Sequence, residues 1–127
     1  MAMLKGKATV LLVRDVELSL AYYRDRLRFE VTSFEENPSH YGYANRGECW
    51  FHFAHWDDVE PQPNTVLVPP EMFDAYLYVD DISAMHEELR ERGAELLHGP
   101  EEQPWTSAEI RVRDPDGYVL AFGQLDD

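Results

Sequence analysis

One short segment occurs twice in this chain, and no other feature restricts the fold so tightly. Val13, Asp15, Val16, Arg24 and Arg26 return as Val79, Asp81, Ile82, Arg90 and Arg92 at one constant offset, and Asp25 is answered by Glu91. Self-similarity over tens of residues marks a duplicated supersecondary unit. The hydrophobic pattern around each copy tells what the unit is. Ala8 to Val13 reads as a strand. Asp15 caps a helix whose apolar stripe is Val16, Leu20, Tyr23 and Leu27. Three strands follow, Phe29 to Phe34, Tyr41 to Ala44 and Cys49 to Trp56, with Asn37-Pro38-Ser39 and Asn45-Arg46-Gly47 as connections.

The second copy restarts after a proline-rich stretch, Asp57 to Pro70, which reads as a linker. Phe73 to Val79 is a strand, Asp81 a cap, and Ile82, Met85 and Leu89 a helix stripe that ends at Gly93. Strands are expected around Ala94 to Leu97, at Thr106 to Arg113 and at Tyr118 to Gly123, the last two joined by the turn Asp114-Pro115-Asp116-Gly117. Each unit is therefore βαβββ. One such unit leaves a sheet face open. Two side by side would make a curved mixed sheet with helices outside and a cup inside. The expected fold class is α+β, a single domain over residues 1–127, with module one at 5–56, a linker at 57–71 and module two at 72–125.

Charge narrows the partners. The chain carries 25 Asp plus Glu against 11 Lys plus Arg, a net charge of −14. Nucleic acid needs a basic face, so it is excluded as a partner. A cationic ligand suits the acidic field. Aromatic residues make up 13% of the chain, enough to wall a flat cavity. The longest early apolar run, Ala8 to Val13, is too short for a signal-peptide core or a membrane span, which points to a cytoplasmic protein without a membrane partner. Cys49 is the single cysteine, so no intrachain disulfide forms.

The order of elements, with Val13-Arg14-Asp15 before the first helix, Val79-Asp80-Asp81 before the second and Asp114-Pro115-Asp116-Gly117-Tyr118 before the last strand, resembles the glyoxalase/bleomycin resistance/dioxygenase (vicinal oxygen chelate) superfamily. Glu102-Gln103-Pro104-Trp105 is similar to its bleomycin-resistance branch. The resemblance implies four metal-ligand positions, which fall on Ala8, His52, Asp74 and Ala121. Only His52 and Asp74 can donate. A catalytic ion needs about three protein ligands and an open position, so no metal or other cofactor is expected and His52 and Asp74 are weak metal candidates. The resemblance also implies a homodimer.

Alternation along the strands assigns the faces. Cys49, Phe51 and Phe53 should pack on a helix, with Trp50, His52, Ala54 and Trp56 facing the cup. In the same way Phe73, Ala75, Leu77 and Val79 should face the core, and Asp74, Tyr76 and Tyr78 the cup, where small Ala121 and Gly123 leave room. The expected function is metal-independent capture of a small, cationic or aromatic molecule, such as a bleomycin-type drug. Trp105 would be the clamp, Trp50, Tyr43 and Tyr76 the walls, and His52 and Asp74 the polar anchors. The alternative is a superfamily enzyme, of lyase or dioxygenase type, with a degenerate metal site. No catalytic residue is assigned, because no Ser-His-Asp or Cys-His spacing is visible.

Overall fold

A computed structural model describes residues 1–34, 40–68, 72–103 and 106–125 of the chain. The chain divides into two compact units, Met1–Pro61 and Gln62–Asp127. Each holds one four-stranded mixed sheet.

Unit one runs β1 (Ala8–Leu12), α1 (Val16–Asp25), β2 (Glu30–Ser33), β3 (Tyr41–Arg46) and β4 (Cys49–Ala54). Its strand order is β1-β4-β3-β2, with β1 parallel to β4 and the other pairs antiparallel. Asp15 caps α1 by accepting from the Leu18 backbone N–H at 3.1 Å, so one of the helix's four free donors is met. The expected stripe is the buried one: Val16, Leu20, Tyr23 and Leu27 are buried, as are Phe29, Phe51 and Phe53. Tyr23 is the hub, its ring 4.7 Å from Phe53 and 5.2 Å from Phe51.

Unit two runs α2 (Asn64–Leu67), β5 (Ala75–Val79), α3 (Ile82–Glu91), β6 (Glu95–Gln103), β7 (Thr106–Arg113) and β8 (Val119–Gln124). The order β5-β8-β7-β6, with β5 parallel to β8, repeats that of unit one. Asp81 caps α3 through the Ala84 N–H at 3.0 Å. Ile82, Met85 and Leu89 are buried, as are Leu77, Ile110, Val112, Leu120 and Phe122 of the sheet. Gly93, at φ 73°, supplies the left-handed residue at the helix exit. Among the described residues no helix is long and apolar enough to cross a membrane.

Several local expectations need correction. Asn45 and Arg46 are not a turn. They continue β3 opposite Trp50 and Cys49, and the turn is Gly47-Glu48, because Gly47 takes the positive φ of 58°. The expected linker contains a helical turn, α2, started by Pro63. The strand expected around Ala94 to Leu97 is longer: β6 runs nine residues, irregular in register against β7, and includes His98. The expected turn at residues 37–39 lies outside the described residues. Phe73 precedes β5, and its ring sits 5.4 Å from that of Tyr76, with the Arg111 guanidinium 5.4 Å above it. It therefore shares the side of Tyr76 rather than the helix side, since alternation does not extend past the bend at Asp74.

The two caps give a direct test of the duplication. Asp15→Ala and Asp81→Ala should each lower stability by about 1 kcal/mol, and the double variant by about 2 kcal/mol. Urea unfolding followed by circular dichroism measures both. A loss for one and none for the other would show that the two caps are not equivalent.

Candidate functional site

A single helix covers one face of each sheet. The other face of unit one carries the aromatic side chains that alternate with the core. Tyr41, Tyr43 and Asn45 of β3 stand opposite Ala54, His52 and Trp50 of β4, and Ala8, Val10 and Leu12 of β1 extend the same face. The rings form one cluster. Tyr43 lies 5.6 Å from His52 and 6.1 Å from Trp50, and Phe34 lies 5.4 Å from Tyr41 and 5.7 Å from Tyr43. Trp50 is 38% exposed, Phe34 45% and Val10 61%. This is a broad apolar surface in contact with solvent, the kind that marks an interaction site. Tyr43, Trp50 and His52 thus come together as expected. Tyr41 and Phe34 were missed. The same period of two that selected Tyr43 also selects Tyr41, but Phe34 lies just beyond the end of β2.

His52 is held by Tyr41, whose hydroxyl lies 2.6 Å from Nδ1. His55, three residues on, points elsewhere. Its Nδ1 meets the Val13 carbonyl at 3.0 Å and its Nε2 meets Asp57 at 3.2 Å. Both ring nitrogens therefore face acceptors, and the Val13 carbonyl first, then Asp57, raise its pKa above the ordinary histidine value. Cys49 is half-buried, and burial pushes its thiol above the ordinary range.

The open face of unit two is built differently. Tyr76 and Ala121 share it with Arg111, and Tyr78 and Gly123 share it with Glu109. Small Ala121 and Gly123 do not leave room there. A Cβ on Gly123 would collide with the Tyr76 ring, which lies directly over it. The same face holds an ion pair the sequence reading missed: Arg111 Nε lies 2.8 Å from Glu109 Oε1, with both side chains buried. A charge at every second position of β7, between apolar Ile110 and Val112, was the available signal. Trp105, the expected clamp, lies outside the described residues.

Asp74 is occupied within its own unit. Oδ1 accepts from the Asn64 backbone N–H at 2.7 Å and Oδ2 from the Val119 N–H at 2.9 Å, so the carboxylate ties the start of α2 to the start of β8. The four positions implied for a divalent ion do not fit one. Ala8 and Ala121 offer methyl groups, Asp74 gives an oxygen to each of two amides, and Nδ1 of His52 is engaged by Tyr41. Among the described residues no group of three or more His, Cys, Asp or Glu side chains is placed to hold a metal.

Comparison with known proteins adds three findings. The family model for the Glyoxalase/Bleomycin resistance protein/Dioxygenase superfamily matches residues 7–122. A virulence protein of Salmonella typhimurium is 24% identical over 119 residues, which cover 91% of this chain and 80% of that protein. Many solved structures share the fold, two of them antibiotic-binding proteins. One is a bleomycin-binding protein from Streptomyces verticillus in complex with copper(II)-bleomycin, at TM-score 0.73 and 22% identity, covering 99% of this chain and 100% of that one. The other is an antibiotic-binding protein from another Streptomyces strain, at TM-score 0.72 and 22% identity, covering 99% of each chain.

The role of Asp74 can be measured. Asp74→Ala leaves two backbone donors without their acceptor and should cost about 2 kcal/mol, while Asp74→Asn, which keeps one oxygen, should cost about 1 kcal/mol. Urea titration of the three proteins checks this. A loss below about 0.5 kcal/mol for Asp74→Ala would contradict the clamp.

Proposed function

This chain belongs to the Glyoxalase/Bleomycin resistance protein/Dioxygenase superfamily, and on that premise we propose that it captures a small molecule rather than transforming one. The superfamily fold alone does not choose between these, because one fold hosts many activities. The choice rests on one observation: the unit-one face presents a cluster of rings, exposed Phe34 and Trp50 with half-buried Tyr43 between them, and the imidazole of His52 beside Tyr43. Such a surface stacks on a planar group and supplies little else. The net charge of −14 adds a long-range pull on any cation the ligand carries. A bleomycin-type glycopeptide meets both demands, and the antibiotic-binding neighbours support that class of ligand.

Capture in this reading is independent of a protein-held metal, because the residues at the implied ligand positions cannot supply three donors. It requires no proton transfer and no nucleophile. Val10 and Leu12, 61% and 39% exposed, lie at the edge of the same face and favour a working homodimer in which a second chain covers part of it. A single free thiol fits a reducing, cytoplasmic setting.

The test is a titration of the purified protein with copper(II)-bleomycin, read by tryptophan fluorescence, after light scattering has fixed its mass. We expect a dimer, saturable quenching below tens of micromolar drug, and an affinity about tenfold weaker for Trp50→Ala or Tyr43→Ala, the worth of one stacked ring. Thermal unfolding should move by less than about 1 °C on addition of nickel, zinc or manganese, since only a ligand that binds the folded state stabilises it. Stoichiometric metal uptake with marked stabilisation would overturn the metal-independent reading. Absence of quenching would remove this drug as the ligand.

A further inference from the structure

We propose that Tyr41 fixes His52 as a hydrogen-bond donor, so that the unit-one face selects a flat ring system bearing a neutral carbonyl oxygen; the inference rests on the capture reading above. The geometry begins with the contact of 2.6 Å between the Tyr41 hydroxyl and His52 Nδ1. A phenol is a much stronger donor than a neutral imidazole N–H, and an imidazole nitrogen a much stronger acceptor than a phenol oxygen. The proton therefore runs from Tyr41 to Nδ1. Neutral imidazole has one N–H, and with Nδ1 accepting, that proton sits on Nε2.

What surrounds Nε2 decides what it recognises. His52 lies between Val10 of β1 and Tyr43 of β3 in the sheet register, with the Tyr43 ring tilted by 34° and 5.6 Å away. Among the described residues no group other than Tyr41 hydrogen-bonds the His52 side chain, and His52 is half-buried rather than sealed in the core. A donor thus emerges beside the Tyr43 ring. A ligand that stacks there displaces the water on Nε2. Leaving that donor unmet costs about as much as a hydrogen bond is worth, so the ligand must bring an acceptor.

The charge of that acceptor follows from its neighbours. The residues that share this face on the four strands include Glu30, Thr32 and Asn45 and no lysine or arginine. The whole chain is at −14. An anionic oxygen would be repelled by the field with no cation on these strands to hold it, and a cationic nitrogen has no lone pair to accept from the N–H. A neutral carbonyl in the plane of a stacked ring system satisfies the site.

Two measurements on the full-length protein test this. In long-range ¹⁵N NMR above neutral pH, Nδ1 of His52 should be unprotonated and Nε2 protonated, and Tyr41→Phe should mix the two tautomers. In equilibrium dialysis, fluorenone should bind about fivefold more tightly than fluorene, its counterpart of the same shape without the carbonyl, as one net hydrogen bond implies. Tyr41→Phe and His52→Leu should shrink that preference below about twofold, and His52→Gln, which retains an N–H donor, should keep it. Equal binding of the two compounds by the wild type, or a protonated Nδ1, overturns the inference and leaves capture standing. Binding of neither compound by a protein that does hold copper(II)-bleomycin also overturns it. Binding of none of the three overturns both.

Discussion

One helix covers one face of a four-stranded sheet, and this protein meets that limit twice. In each unit the helix buries the side chains that alternate inward, Phe51 and Phe53 in the first and Leu77, Ile110 and Phe122 in the second. The remaining face must do something with its alternate side chains. Hydrophobic burial cannot be completed on that side within the unit, so the composition of the open face is free to be set by function. Everything proposed for this molecule follows from how differently the two open faces are furnished.

The first is furnished with rings that remain in contact with solvent. The second is furnished with a ring packed over Gly123 and a buried ion pair, Glu109 with Arg111, and Tyr78 is its exposed ring. A buried pair of this kind is weak evidence for stability, because desolvation offsets much of its attraction. Its effect here is to fill the unit-two face with groups that satisfy one another. Asp74 behaves in the same way, giving its two oxygens to backbone amides rather than to a ligand or an ion. Asp74, Glu109 and Arg111 of unit two are engaged within the unit, whereas His52 in unit one is half-buried among rings with Tyr41 on one ring nitrogen.

Most of the fold was legible in the residues because local signals and global packing agree. The duplicated Asp15 and Asp81 sit where an N-cap is needed, and the stripes of period near four lie on the buried sides of α1 and α3. Alternation also gave the faces of β4 correctly. It failed where the chain is not a regular strand. Phe73 was placed on the wrong side because β5 begins only at Ala75, and the one-turn α2 was hidden among prolines. The candidate site was half legible. Period two finds Tyr43, Trp50 and His52, yet nothing in one dimension tells that Asp74 closes a loop onto Val119 or that Tyr76 folds over a glycine. Those are long-range contacts, set by sheet register, which single-sequence patterns do not encode.

The account stands on the unit-one face being where a ligand lands. Backbone and indole ¹⁵N chemical-shift mapping with metal-free bleomycin tests this most directly. The account predicts shifts concentrated at Phe34, Tyr41, Tyr43, Trp50 and His52, with α1 and α3 unmoved. Shifts confined to the helices, or to surfaces remote from β3 and β4, would contradict it.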